Sequence, residues 1–172
     1  HHPRIEMLYM EATEPGSLAF LTTLPKLSHL MLGKWNVTSA GPLPAGLTGL
    51  KSLLVMEAEG MKDLKVLDAA PAGLEELSLI GANDLTDLSG LDGMKSLRTL
   101  VLWGDKLSDL SSVSTLKQLR WVGLPPETSQ EHFAAFVSAH PNLAILDMMG
   151  NKTVKDLAPL GGLKELRGLI LD

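Results

Sequence analysis

The residues first weighed for chemistry are His132, His140 and three aspartates that recur in one setting. The two histidines stand eight apart, which is not a metal-ligand spacing on a helix. Asp87, Asp109 and Asp156 occur in "TDL", "SDL" and "KDL". A calcium site needs several oxygen ligands, and these supply one each. Hydrogen bonding in a recurring turn accounts for them. His29 stands alone, with Glu6, Glu11 and Glu57 as its nearest expected carboxylates. Cysteine is absent, so disulfides, thiolate metal sites and a Cys nucleophile are excluded. No G-x-S-x-G, H-E-x-x-H, phosphate loop or dinucleotide fingerprint occurs, and no serine has a companion His–Asp constellation. These residues imply no catalytic centre, no metal and no cofactor. The expectation is a protein that is not an enzyme.

What must position them is set by an unusual composition. The chain has 172 residues, 45% of them apolar but only 4% aromatic, so aliphatic side chains must build the core. The net charge is −5 with both signs interspersed. The absence of a basic stripe argues against nucleic-acid binding. No apolar run reaches the ~20 residues of a membrane-spanning helix. No signal peptide is evident and His1-His2 reads as the remnant of a purification tag. Lack of cysteine fits the cytoplasm and a bacterial surface or periplasmic protein equally, so the compartment stays open. Asn36-Val37-Thr38 and Asn151-Lys152-Thr153 match the glycosylation sequon and are read as chance.

The template L-x-x-L-x-L, with Ile, Val or Met allowed, begins at residues 5, 27, 50, 74, 97, 119, 143 and 166. Successive gaps are 22 to 24 residues. A unit of this length cannot bury its own leucines, and stacking buries them in one continuous core. Eight strands about 4.8 Å apart would make a curved parallel sheet about 34 Å long.

The stretches "LEELSLIGANDLTDLSGL" from Leu74, "LRTLVLWGDKLSDLSSV" from Leu97 and "LAILDMMGNKTVKDLAPL" from Leu143 carry a longer pattern. It resembles the leucine-rich repeat family, and the resemblance covers the whole chain. The period and the "L-x-D-L-x-x-L" tail resemble the class found in bacterial internalins and in phosphatase regulators of the SDS22 type. The resemblance implies an α/β solenoid with the sheet on the concave face, a role in protein binding and a bacterial source. The expected organisation is one domain, residues 1–172, of about eight repeats, excised from a longer protein because neither end carries a polar cap.

The pattern is departed from at the position where the family places a buried Asn. Here it reads Thr13, Trp35, Ala58, Ala82, Asp105, Glu127 and Asn151. Buried loop amides must then find other partners. "TSAGPLPAGL", Thr38 to Leu47, predicts an extended return rather than a helix. One return differs: after Pro125-Pro126, Thr128 and Glu131 fit a capping box, and Phe133, Phe136 and Val137 form a stripe at helical spacing. A convex α-helix is expected near 129–139, stopped by Pro141. The other returns are expected to be 3₁₀ turns or irregular.

Alternation along the strands sends the third, fifth and seventh positions of each repeat out from the concave sheet. Half of these are apolar, where a solvated sheet face normally carries Thr, Ser or charge. The expected protein-binding residues are Tyr9, Met31, Leu54, Met56, Ile80, Val101, Trp103, Trp121, Ile145, Asp147 and Met149. Trp103 and Trp121, on neighbouring strands, would anchor a protein or peptide partner. Gly123 would leave a gap beside Trp121. The alternative is a structural segment whose concave face packs on another domain, or which self-associates through that face or its uncapped ends. The stretch "LRTLVLW" states the problem: Leu97, Leu100 and Leu102 belong to the core, and Val101 and Trp103 need a cover the repeat does not supply.

Overall fold

The leucine motifs become the rungs of one parallel sheet. The computed structural model describes residues 2, 4–104 and 106–171. Its strands are β1 (Met7–Ala12), β2 (His29–Asn36), β3 (Ser52–Val55), β4 (Ala58–Glu59), β5 (Glu76–Ile80), β6 (Thr99–Trp103), β7 (Trp121–Gly123), β8 (Ile145–Asp147) and β9 (Gly168–Ile170). They run in the order β1-β2-β3-β5-β6-β7-β8-β9, with the two-residue β4 also beside β2. Every ladder is parallel, and one row, Met7, His29, Ser52, Glu76, Thr99, Trp121, Ile145 and Gly168, stays in register from end to end. These are the third positions of the repeats. The solenoid therefore keeps one register although the return segments differ in length.

Between those residues the chain points inward. Leu30, Leu53, Leu77, Leu100, Val122 and Leu146 are each 2% exposed or less, whereas Leu169 on β9 is 39% exposed and Leu8 on β1 is half-buried. Full burial of one such side chain stabilises the fold by roughly 1.5–3 kcal/mol. The core is thus deepest at mid-sheet and shallow at both ends.

The returns follow the turn chemistry of their aspartates. Asp63, Asp87, Asp109 and Asp156 each accept, at 2.8–3.0 Å, the N–H two residues ahead, on Lys65, Ser89, Ser111 and Ala158. Each bond leads into a 3₁₀ turn. The backbone N–H of Ser89 holds the Asp87 carboxyl below the usual carboxylate range, and that of Ser111 does the same for Asp109.

Two returns differ from expectation. A one-turn helix, α1 (Val37–Ala40), occupies the start of the segment expected to be extended. Asn36 explains it, since its side chain accepts the Ser39 N–H at 3.0 Å and caps the turn, and Gly41, at φ +80°, ends it. The second helix, α2 (Gln130–Ala139), lies where the stripe of Phe133, Phe136 and Val137 placed it, with all three buried. Its cap is Ser129, whose hydroxyl accepts the His132 N–H at 3.2 Å. Thr128, the expected cap, is fully buried, and its hydroxyl donates back to the Pro125 carbonyl at 2.7 Å.

His140 closes α2 and is only 3% exposed. Its Nδ1 lies 2.8 Å from the Phe136 carbonyl and its Nε2 3.1 Å from the Val113 carbonyl, with its ring stacked on Phe136. A neutral ring has one N–H for these two acceptors. Burial opposes the imidazolium that would serve both, and the pKa is lowered. The unfolded chain therefore takes up this proton first as pH falls, and stability is lost below about pH 6.5. The urea midpoint of the native chain should fall between about pH 7.5 and 5.5, above the range where carboxylates titrate. A His140→Gln variant should show a flatter profile over that interval; an unchanged slope would assign the effect to other groups.

Candidate functional site

The concave face is built by the rows that alternate with the core. Tyr9, Met31, Leu54, Ser78, Val101, Gly123, Asp147 and Ile170 align as the fifth-position row, and Ile80 stands opposite Trp103 in the seventh. Neighbours in a row are about 4.8 Å apart, so the row forms a continuous surface.

Of the residues expected to meet a partner, Tyr9, Met31, Met56, Trp121 and Met149 are exposed, at 36–60%. Leu54, Ile80, Trp103 and Ile145 are half-buried. Val101 and Asp147 are buried, at 8% and 5%. They support the face rather than present it. The Asp147 carboxylate accepts the Met149 N–H at 2.9 Å, a bond within the turn that follows β8.

The cover for Val101 comes from inside the fold. A Cβ built on Gly123 would meet a Val101 methyl and the Trp103 Nε1, each at 3.0 Å. The expected gap beside Trp121 is therefore filled by the preceding strand. The same arrangement recurs twice: the Tyr9 ring lies over Gly33, and Ile145 lies over Gly168, 3.1 Å from where its Cβ would sit. In all three cases a large side chain leans onto a glycine of the next strand. Adjacent side chains on a sheet face interact strongly, and here a missing Cβ lets one of them lie flat.

The two indoles are consequently unlike. Trp103 turns onto Gly123, and its Nε1 is buried with no acceptor among the described residues. An orphaned donor of this kind costs about 1–3 kcal/mol. Trp121 stands 41% exposed beside Thr99 and Ile145.

On the convex side, Asp109, Ser111, Ser114 and His132 line a small cleft of about 130 Å³ against α2, a grouping of Asp, Ser and His that spacing alone does not reveal. The Ser114 hydroxyl donates to the Ser111 carbonyl at 2.6 Å, and Asp109 is taken by the Ser111 N–H. His132 Nδ1 is buried without a partner. No serine in the cleft bonds the imidazole, so the relay of a nucleophile and its base is not assembled. Among the described residues no group of three or more His, Asp or Glu could hold a metal ion.

No protein-family model matches the chain. Its fold is similar to that of an internalin (inlF) from Listeria monocytogenes, with a TM-score of 0.65 and 18% identity over 95% of this chain and 52% of that one. It is also similar to an internalin C2 (inlC2) from the same species, with a TM-score of 0.68 and 18% identity over 98% of this chain and 74% of that one. The chain spans about half the length of the first. At this identity the likeness is one of fold, a leucine-rich-repeat solenoid with a parallel sheet, 3₁₀ turns and few helices.

Proposed function

We propose that this leucine-rich-repeat chain is a non-catalytic module that binds a protein or peptide through its concave face. The observation that carries the reading is the strip of uncovered apolar side chains there: Tyr9, Met31, Met56, Trp121 and Met149. Exposed apolar side chains gathered on one face of a water-facing sheet tend to mark an interaction site. Trp is the usual anchor of such sites, and Met adapts to varied partners.

Trp121 is the side chain to test. Removing Trp103 would also uncover Val101 and Gly123 and so confuse binding with folding. Peptides selected from a displayed random library on the intact chain are expected to bind a Trp121→Ser variant at least about tenfold more weakly. The variant should remain folded, with an unfolding free energy lower by about 1–2 kcal/mol, because the residue is 41% exposed and the rest of its side chain is covered. Equal binding by the variant would remove the concave face from the reading.

A second reading uses the same exposed apolar side chains: packed against a second copy or another domain, they would make the chain a structural segment. It predicts sedimentation that depends on concentration, and a monomer at all concentrations would set it aside.

A further inference from the structure

The chain holds eight methionines and no cysteine, so thioethers are its only sulfur. The fold divides them by face. Met7, Met31, Met56 and Met149 stand at third, fifth or seventh positions of their repeats and are 36–72% exposed. Met61, Met94 and Met148 belong to the core and are 3% exposed or less. Met10, an inward residue of β1, is half-buried. Every methionine that is open to water therefore occupies an outward position. Met148 and Met149 show the division most sharply, since one peptide bond separates a buried thioether side chain from an open one.

Met7 and Met31 lie on β1 and β2, Met56 just beyond β3 and Met149 two residues beyond β8. In its reduced form each is an unbranched apolar side chain suited to a varied partner. A peroxide reverses that character. The sulfur lone pair attacks one peroxide oxygen, the O–O bond breaks and an S–O bond forms. The other oxygen leaves as water, taking the proton of the oxygen transferred. Sulfur is oxidised by two electrons and the peroxide is reduced by two. The product is a methionine sulfoxide, polar where the thioether was apolar. With no cysteine in the chain, no thiol competes for the oxidant. Susceptibility follows exposure, so the folded chain directs the reaction to its outward methionines.

Resting on the concave-face reading, we propose that Met7, Met31, Met56 and Met149 are a reversible oxidation site through which peroxide switches the face from binding to non-binding. Each sulfoxide places a hydrogen-bond acceptor where an apolar partner supplies no donor, and burying it unpaired opposes association. Met61, Met94 and Met148 stay reduced inside the stack, so the solenoid keeps its fold while its face changes. Reduction then restores the face. A methionine sulfoxide reductase returns the thioether as two thiols become a disulfide and the oxygen leaves as water.

The test treats the intact chain with dilute hydrogen peroxide at neutral pH, removes the excess with catalase and locates sulfoxides by tandem mass spectrometry. Met7, Met31, Met56 and Met149 should oxidise at least about tenfold faster than Met61, Met94 and Met148, with Met149 ahead of Met148 in the same fragment. Binding is read with displayed random peptides selected in alternate rounds on the native chain and on a variant with all four outward methionines changed to Leu. These peptides should bind the oxidised native chain at least about tenfold more weakly. Reductases for both sulfoxide epimers, with dithiothreitol, should restore them, and the Leu variant should keep its affinity through the same treatment. Oxidation that ignores the division by face, or a Leu variant that loses binding as the native chain does, would overturn the proposal. Peptides that require Trp121 but bind the oxidised chain unchanged would overturn it and leave the concave face standing. Peptides indifferent to Trp121→Ser, or a selection that enriches nothing, would overturn both.

Discussion

Leu100→Ala is expected to lower the unfolding free energy by about 3–5 kcal/mol, and Leu169→Ala by about 1 kcal/mol. The two leucines occupy the same inward row, two repeats' motifs of identical form, and differ only in their place along the stack. Leu100 is fully buried, with Leu77 and Val122 beside it in register. Its truncation leaves a cavity that neighbours on both sides cannot close without moving the sheet. Leu169 has a neighbour on one side only and is 39% exposed, so much of its side chain never left water. In a solenoid each repeat is stabilised through its neighbours, and an edge repeat has half of them. Urea midpoints of the two variants against the native chain measure the difference. Comparable losses would mean that position along the stack does not set the contribution of a repeat.

The same periodicity explains what was legible from residues alone. Inward leucines at a spacing of 22 to 24 residues fix the strands, the parallel order and the rows of the concave face, because one register satisfies every repeat together. Phe133, Phe136 and Val137 likewise locate α2. Less legible were features decided by single side chains. Asn36 nucleates α1 with one hydrogen bond, which a Pro/Gly-rich stretch does not announce. Ser129 rather than Thr128 caps α2 because Thr128 is drawn into the interior by Pro125. The candidate site was legible as a set of outward positions, but not as a surface. Whether Val101 shows itself to a partner depends on where the Trp103 indole lies, and that depends on Gly123 one strand away. Alternation assigns a face; it does not say which neighbour leans over which.

The broken Asn ladder leads to the second large effect. Trp35 stands at the position where the repeat pattern favours Asn, so a consensus argument would make Trp35→Asn stabilising. Packing gives the opposite sign. Trp35 is fully buried, and its partners in register are Ala12 and Ala58, both small and both buried. The alanines make the space that the indole fills. Its Nε1 donates to the Gly41 carbonyl at 3.1 Å, and its backbone N–H donates to the Glu57 carbonyl at 2.8 Å. At the true Asn position the surroundings are polar: Asn151 Nδ2 donates to the carbonyls of Pro126 and Thr128, and its Oδ1 accepts from the N–H groups of Thr153 and Val154. Those partners are all backbone groups of the loops around Asn151, whereas the side chain of Trp35 makes one such bond, to the Gly41 carbonyl. Trp35→Asn should therefore cost about 3–5 kcal/mol, chiefly through the void left by the indole between the two alanines. Denaturant unfolding of the variant would read the loss, and a midpoint equal to or above that of the native chain would show that the local Asn rule outweighs the packing of the stack.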